Sequence, residues 1–317
     1  MTNEKKGISR RSFIKKGTLL GASSIIAGSQ LGGIMTRLAL AAPSQNPAPD
    51  LASVQGADAY ANTIQAVAML GGMGRFVSKQ SKVALLINSN QNNPGAYVKP
   101  DIVLAVIRLC LDAGASEIGV FKQPGGSYWR RAGRSAEFKD EIKGIRHIGG
   151  SHKKVPVAGR ALREAEVSAA LLDWDVFINI PIAKDHTAVH FTGTMKNMMG
   201  LTSSSTNHFF HFGSGSSGWY DDPEFLSQCI ADVNLVRRPD LCVFDGMEML
   251  TTNGPSGPGS LTQPQKVFSA TDAVAADVYG ANLLGLRGQE ILATRMAHDH
   301  GLGNLDLSAV RIEEVTL

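Results

Sequence analysis

Apolar and polar positions alternate along this chain in long regular stretches, and the periods name the elements. Residues 82–88, Lys-Val-Ala-Leu-Leu-Ile-Asn, form a short continuous apolar run, the pattern of a strand buried on both faces. Residues 101–113 follow with helical spacing, opened by Pro100 and closed by Gly114, and residues 117–121 read as the next strand. Strand, helix, strand over this length makes a right-handed crossover and so a parallel sheet. Residues 62–70 also suit a helix, ended by Gly71-Gly72.

The alternation resumes downstream. Residues 160–172 have helical spacing, and residues 175–181 form a third buried run. Asp222-Pro223-Glu224 opens a helix to about Arg237, where the acid caps free amides and proline fits the first turn. Residues 241–244 predict a strand ending on Asp245-Gly246; residues 266–270 predict another, followed by Thr271-Asp272 and an alanine-rich helix to Leu284. The stretches 42–58, 123–153 and 201–218 carry no clear period, and the first reads as a proline-containing linker. The expected fold is α/β: a mostly parallel sheet flanked by helices in Rossmann-like layers, over residues 76–317, with one body or two lobes both open.

The first 41 residues read differently. Ser9-Arg10-Arg11-Ser12-Phe13 places paired arginines before an apolar residue, a weakly apolar run extends to about Met35, and Ala39-Leu40-Ala41 suits a signal peptidase. We expect a twin-arginine signal peptide at 1–41, a linker and helix at 42–75, export by the twin-arginine translocase, and a periplasmic location. Glycines and serines make the leader a poor anchor, and no later run is long enough to span a bilayer.

Composition changes the picture mainly through that leader. Residues 1–41 hold seven of the 31 bases and one of the 28 acids, so the remainder carries 24 bases against 27 acids, a formal charge of −3. No basic face for nucleic acid is expected. Cys110, Cys229 and Cys242 stand far apart, two within apolar runs, so buried thiols are expected and an iron–sulfur cluster is not.

In α/β sheets ligands collect at the carboxyl ends of strands. After the run at 175–181 come Lys184, His186 and His190, then Thr192-Gly193-Thr194-Met195-Lys196-Asn197. Lys184 and Lys196 favour an anion, which the amides opening a helix at Thr194 would also hold. Histidines four apart suit a divalent metal, with His186, His190, His208 and His211 as candidate ligands; solvated side chains explain them equally well. The 207–212 stretch resembles a lid, a ligand-facing loop or an edge strand. Residues 213–218 match a dinucleotide glycine pattern, but no buried strand precedes them, so nucleotide binding through them is rejected. Asp245, an acid ending a buried strand, could be a base or a ligand, or could simply form an Asp-Gly turn. Gly254 sits in a loop that can approach a ligand closely, Asp272 reads as a cap, and Asp277 lies among alanines. Candidate catalytic residues are therefore Lys184, His186, Lys196 and Asp245, with Asn197, Gly254, Asp272 and Asp277 as candidate ligand contacts.

These segments, in order, resemble the domain-of-unknown-function family 362. The resemblance rests on Lys184-x-His186, Thr192-Gly193-x-x-Lys196-Asn197-x-x-Gly200, Asp245-Gly246, Gly254-Pro255, the 272–277 stretch with Leu284-Gly285, and Gly301-Leu302-Gly303. It implies an α/β fold. Many members carry ferredoxin-like cysteine clusters, which this chain lacks. The expected function is an exported enzyme acting on a small anion with a bound metal ion; a periplasmic binding protein and an accessory protein of a redox complex are the alternatives.

Overall fold

The computed structural model describes residues 48–214 and 222–317; the expected leader, and residues 215–218 of the glycine pattern, lie outside them. The strands are β1 (Leu51–Gln55), β2 (Lys82–Ile87), β3 (Glu117–Val120), β4 (Arg146–His147), β5 (His152–Pro156), β6 (Glu164–Ser168), β7 (Val176–Ile180), β8 (Leu241–Gly246), β9 (Met249–Leu250), β10 (Leu261–Thr262), β11 (Lys266–Ala270) and β12 (Ile312–Thr316). The helices that matter below are α1 (Ala59–Met69), α2 (Pro100–Asp112), α3 (Thr194–Asn197), α4 (Ser204–Phe212), α5 (Pro223–Val233), α6 (Ala273–Leu283) and α7 (Leu292–Asp299).

One eight-stranded sheet in the order β12-β1-β11-β8-β7-β2-β3-β4 forms the body. Only β11 runs against its neighbours in it. Its direction follows from its connection. No helix lies between β8 and β11; the β9–β10 ribbon turns the chain straight back, and a hairpin return is antiparallel. The other strands re-enter through crossovers, so they stay parallel.

The two faces of β2 show how the core divides. Val83, Leu85 and Ile87 pack with Val67 of α1, with Leu70 just past its end, and with Ile102 and Val106 of α2. Ala84 and Leu86 point the other way, into Met195, Met198, Leu226 and Ile230. Alternate residues thus serve opposite layers, as a strand's two-residue period requires. Each fully buried branched side chain contributes roughly 1.5–3 kcal/mol, and the run needs no polar position because neither face meets water. All three cysteines are buried thiols. Among the described residues no helix is long and apolar enough to cross a membrane.

The helix ends are set by local chemistry. Asp58 accepts from the Tyr60 and Ala61 amides at 2.9 and 3.2 Å to open α1. Gly71, at φ +98°, closes it in a conformation that costs a side chain dearly. Asp222 opens α5 by accepting from the Glu224 amide at 2.9 Å.

Three expectations give way. Residues 51–55, expected within a linker, form β1 inside the sheet, bonded to β11 on one side and β12 on the other. The expected helix at 160–172 is instead β6 and a short turn of helix, because Ala165 and Val167 alternate inward while Glu164 faces out against β5. The 207–212 stretch is helical, part of α4, with the Ser203 hydroxyl accepting from the Thr206 amide to cap it.

Candidate functional site

Beyond the carboxyl ends of β2, β3 and β7 lies a cleft of about 360 Å³. Its described lining includes Lys122, Lys184 and Lys196 and no carboxylate. How each lysine arrives there is a matter of local structure. Strand β7 continues past Ile180: Ala183 donates to the Asp245 carbonyl at 3.1 Å, and Lys184 then pairs with Thr192 through bonds of 3.3 and 2.8 Å. Residues 184–192 therefore form a closed loop with Lys184 at its neck.

The Lys184 side chain is 2% exposed. Its Nζ donates to the Ala96 carbonyl at 2.6 Å and lies 3.5 Å from Asn88 Oδ1. Burial, then the nearby Lys196 charge, brings its pKa down to about 7. Lys196 comes from α3, where its Nζ lies 3.6 Å from Met199 Sδ. Lys122 follows β3; partial burial against the cleft wall lowers its pKa although the side chain as a whole is exposed. Asn197 is fastened beside them, donating to Asn179 Oδ1 at 2.7 Å.

His186 stands at the start of the loop, 8% exposed. Its Nδ1 accepts from the Ala188 and Val189 amides at 3.2 and 3.4 Å. Burial first, and then the Lys196 and Lys184 charges, lower its pKa to about 3. The ring is neutral, and its single proton sits on Nε2. It is built to donate a hydrogen bond. A metal on Nε2 would require a tautomer whose Nδ1 proton faces two amide protons.

The remaining histidines do not join it as a ligand set. His190 is exposed at the turn, at φ +62°. His208 lies on the outer face of α4, stacked on Phe212 at 4.3 Å. His211 alone of these three lines the cleft. Among the described residues no three His, Cys, Asp or Glu side chains group as metal ligands. The expected four-histidine metal centre does not fit this geometry, since His190 and His208 are exposed and only His211 of the four lines the cleft.

Two acids also take other places than expected. Asp277 accepts from the Thr194 amide at 2.5 Å and the Met195 amide at 3.0 Å. It fills the amino end of α3, where an anionic ligand was expected. Asp245 is fully buried, and its oxygens accept from the Lys99 amide at 2.6 Å and the Met247 amide at 2.9 Å. Burial outweighs those bonds and raises its pKa to about 6, and that of Asp277 to about 7. Asp245 ties the entry of α2 to the sheet and does not line the cleft. Its backbone does sit at the same sheet edge as Lys184, through the Ile182–Asp245 bridge.

Gly254 is likewise a fastener. Its amide donates to Asp185 Oδ2 at 2.8 Å, and its carbonyl accepts from the Thr187 hydroxyl at 2.5 Å. A Cβ there would lie 1.9 Å from the Asp185 carbonyl oxygen, so only glycine permits this approach. Asp272 is at the opposite end of the sheet, capping α6 through the Ala275 amide at 2.9 Å and holding Asn304. It is remote from the lysines because β11 runs the other way.

The DUF362 family model, "Domain of unknown function (DUF362)", matches residues 82–282, more than half of the chain. The chain belongs to the DUF362 family. This DUF362 chain is also similar to a thylakoid-associated protein of Synechocystis, 25% identical over 68% of the chain and 67% of the relative. Among solved structures it is similar to a lactate racemase apoprotein from Thermoanaerobacterium thermosaccharolyticum, 11% identical with TM-score 0.45, over 73% of this chain and 56% of that one. A structural-genomics protein from Thermotoga maritima is similar at 10% identity and TM-score 0.42, over 77% and 60% of the two chains. The chain thus spans less than two thirds of either solved structure.

Sequence reasoning missed Lys122, Asn88, Asn90 and Gln91, all of which line the cleft. The signal was available: Asn88 directly follows the apolar run of β2, with Asn90 and Gln91 just beyond it, and Lys122 directly follows the 117–121 run.

Proposed function

We propose that this DUF362 chain is an exported enzyme acting on a small anionic molecule held at the carboxyl edge of its sheet. The observation that carries this is the set of three lysines around one cleft whose described lining contains no carboxylate. Like charges held close repel one another, as the effect of the Lys196 charge on Lys184 illustrates, and an anionic ligand lowers that cost.

Catalysis is supported by the contrast between the groups. Lys196 and Lys122 are suited to hold charge. Lys184, with a pKa near 7, can accept a proton at neutral pH, as a general base must. His186 is not part of the cleft lining; its Nδ1, accepting from the Ala188 and Val189 amides, braces the loop that Lys184 opens. Asp277 and Asp245 position the backbone that carries these residues. The twin-arginine leader supports the proposed export, and folding before export suits a buried polar site of this kind.

Thermal unfolding with phosphate, sulfate and malonate tests the binding part. Wild-type protein should gain several degrees with at least one of these anions, while Lys196→Ala and Lys122→Ala should gain little. An equal gain in all three proteins would place the anion elsewhere and overturn the proposal.

A further inference from the structure

The surroundings of Lys184 suit an uncharged amine better than an ammonium. Lys184 lines the cleft at 2% exposure, and its Nζ has two neutral oxygens beside it: the Ala96 carbonyl at 2.6 Å and Asn88 Oδ1 at 3.5 Å. An ammonium has three protons to place, a neutral amine only two. Two acceptors match the neutral form and leave its lone pair for the cleft. Burial and the Lys196 charge favour the same form, with a pKa of about 7.

A hydroxyl stands on the same face. Lys184 and Thr192 lie opposite each other in an antiparallel bridge, exchanging bonds of 3.3 and 2.8 Å, so their side chains leave the backbone on one side. Thr192 also lines the cleft, at 4% exposure, and its Oγ1 has no hydrogen-bond partner. A buried hydroxyl left unpaired is costly, and a ligand atom in the cleft removes that cost.

A desolvated lysine amine beside a second cation is a nucleophile toward carbonyl carbon. The cleft, at about 360 Å³, is at the small end of ligand sites. Lys196 is near enough to act on the charge of Lys184, so even a small ligand can reach both.

We propose that the cleft takes a small anion bearing an aldehyde or ketone carbonyl, which Lys184 Nζ attacks to form an imine while the Thr192 hydroxyl relays protons. This rests on the anion site proposed above. The lone pair forms the C–N bond as the C=O π bond opens, and a proton passes from nitrogen to that oxygen through Thr192 Oγ1. The carbinolamine then gives up its oxygen as water, with the second nitrogen proton, as the C=N bond closes. One amine and one carbonyl give one imine and one water, with no oxidant or reductant.

Incubating the full chain at neutral pH with pyruvate or dihydroxyacetone phosphate, in the presence of cyanoborohydride, tests it. The two probes share the carbonyl and differ in the acid group, and cyanoborohydride delivers hydride to an imine and fixes it as a secondary amine. Intact mass and peptide mapping should find one adduct per chain with at least one probe, formed at Lys184 at least tenfold faster than at any other lysine. Sulfate should suppress it, and Thr192→Val should slow it at least tenfold. No preference for Lys184 with either probe, in protein that sulfate still stabilises against heat, would overturn the inference and leave the anion site standing. An unslowed Thr192→Val would overturn the proton relay. Labelling of Lys184 that sulfate does not suppress, in protein that sulfate does not stabilise, would overturn the anion site itself.

Discussion

Asp277 holds the Thr194 amide at 2.5 Å, across 83 residues of sequence, and that bond sets where α3 begins. Gly193, just before it, has no room for a side chain, because an added Cβ would lie 2.5 Å from Asp277 Oδ1. Lys196 and Asn197 follow within one turn, so their direction into the cleft depends on this carboxylate.

Asp277→Ala should therefore cost about 2–4 kcal/mol, since two buried amides lose their acceptor. Chemical denaturation measures the loss. Asp277→Asn keeps one acceptor and should cost less. A change under 0.5 kcal/mol for the alanine variant would remove the positioning role given to Asp277.

Lys184 gives a prediction with a definite sign. Its folded pKa is lowered from 10.5 to about 7, so between those values the folded chain has released a proton that the unfolded chain keeps. Raising the pH through this window therefore favours the folded state, by at most about 1.4 kcal/mol per pH unit. Relative to Lys184→Met, wild-type stability should rise between pH 7 and 10. A difference that is flat with pH would mean that the amine is not buried as described.

The sheet was largely legible in the sequence, and the site only in part. β2, β7 and β8 announce themselves because both faces are apolar. β1 does not, since Leu51-Ala-Ser-Val is short and preceded by prolines. β6 was masked by helix-forming glutamate and alanine, whose strand state comes from pairing with β5. Asp245 was found as an acid with no packing reason to end a buried strand. Its role was not legible, because the Lys99 amide that it holds is 146 residues away.

His186→Ala should leave metal content at the wild-type level, because the ring's Nδ1 contacts fix its proton on Nε2. Elemental analysis of both proteins, purified without chelators, checks this. Stoichiometric metal in the wild type that disappears in the variant would show that the tautomer is otherwise.

Arg10→Lys with Arg11→Lys should leave the precursor in the cytoplasm, as followed by fractionation and immunoblotting. Efficient export of the double variant would rule out the twin-arginine route.

Calorimetric titration with sulfate, in buffers of different ionisation enthalpy at pH 8, addresses the lysine cleft itself. Sulfate keeps a fixed charge there, so any proton taken up on binding comes to the protein. One sulfate per chain should bind with net proton uptake, as Lys184 regains its charge beside the anion. Lys184→Met should abolish the uptake, and Lys196→Ala should weaken binding at least tenfold. Sulfate that binds without proton uptake, or equally well to both variants, would contradict an anion site built on Lys184 and Lys196.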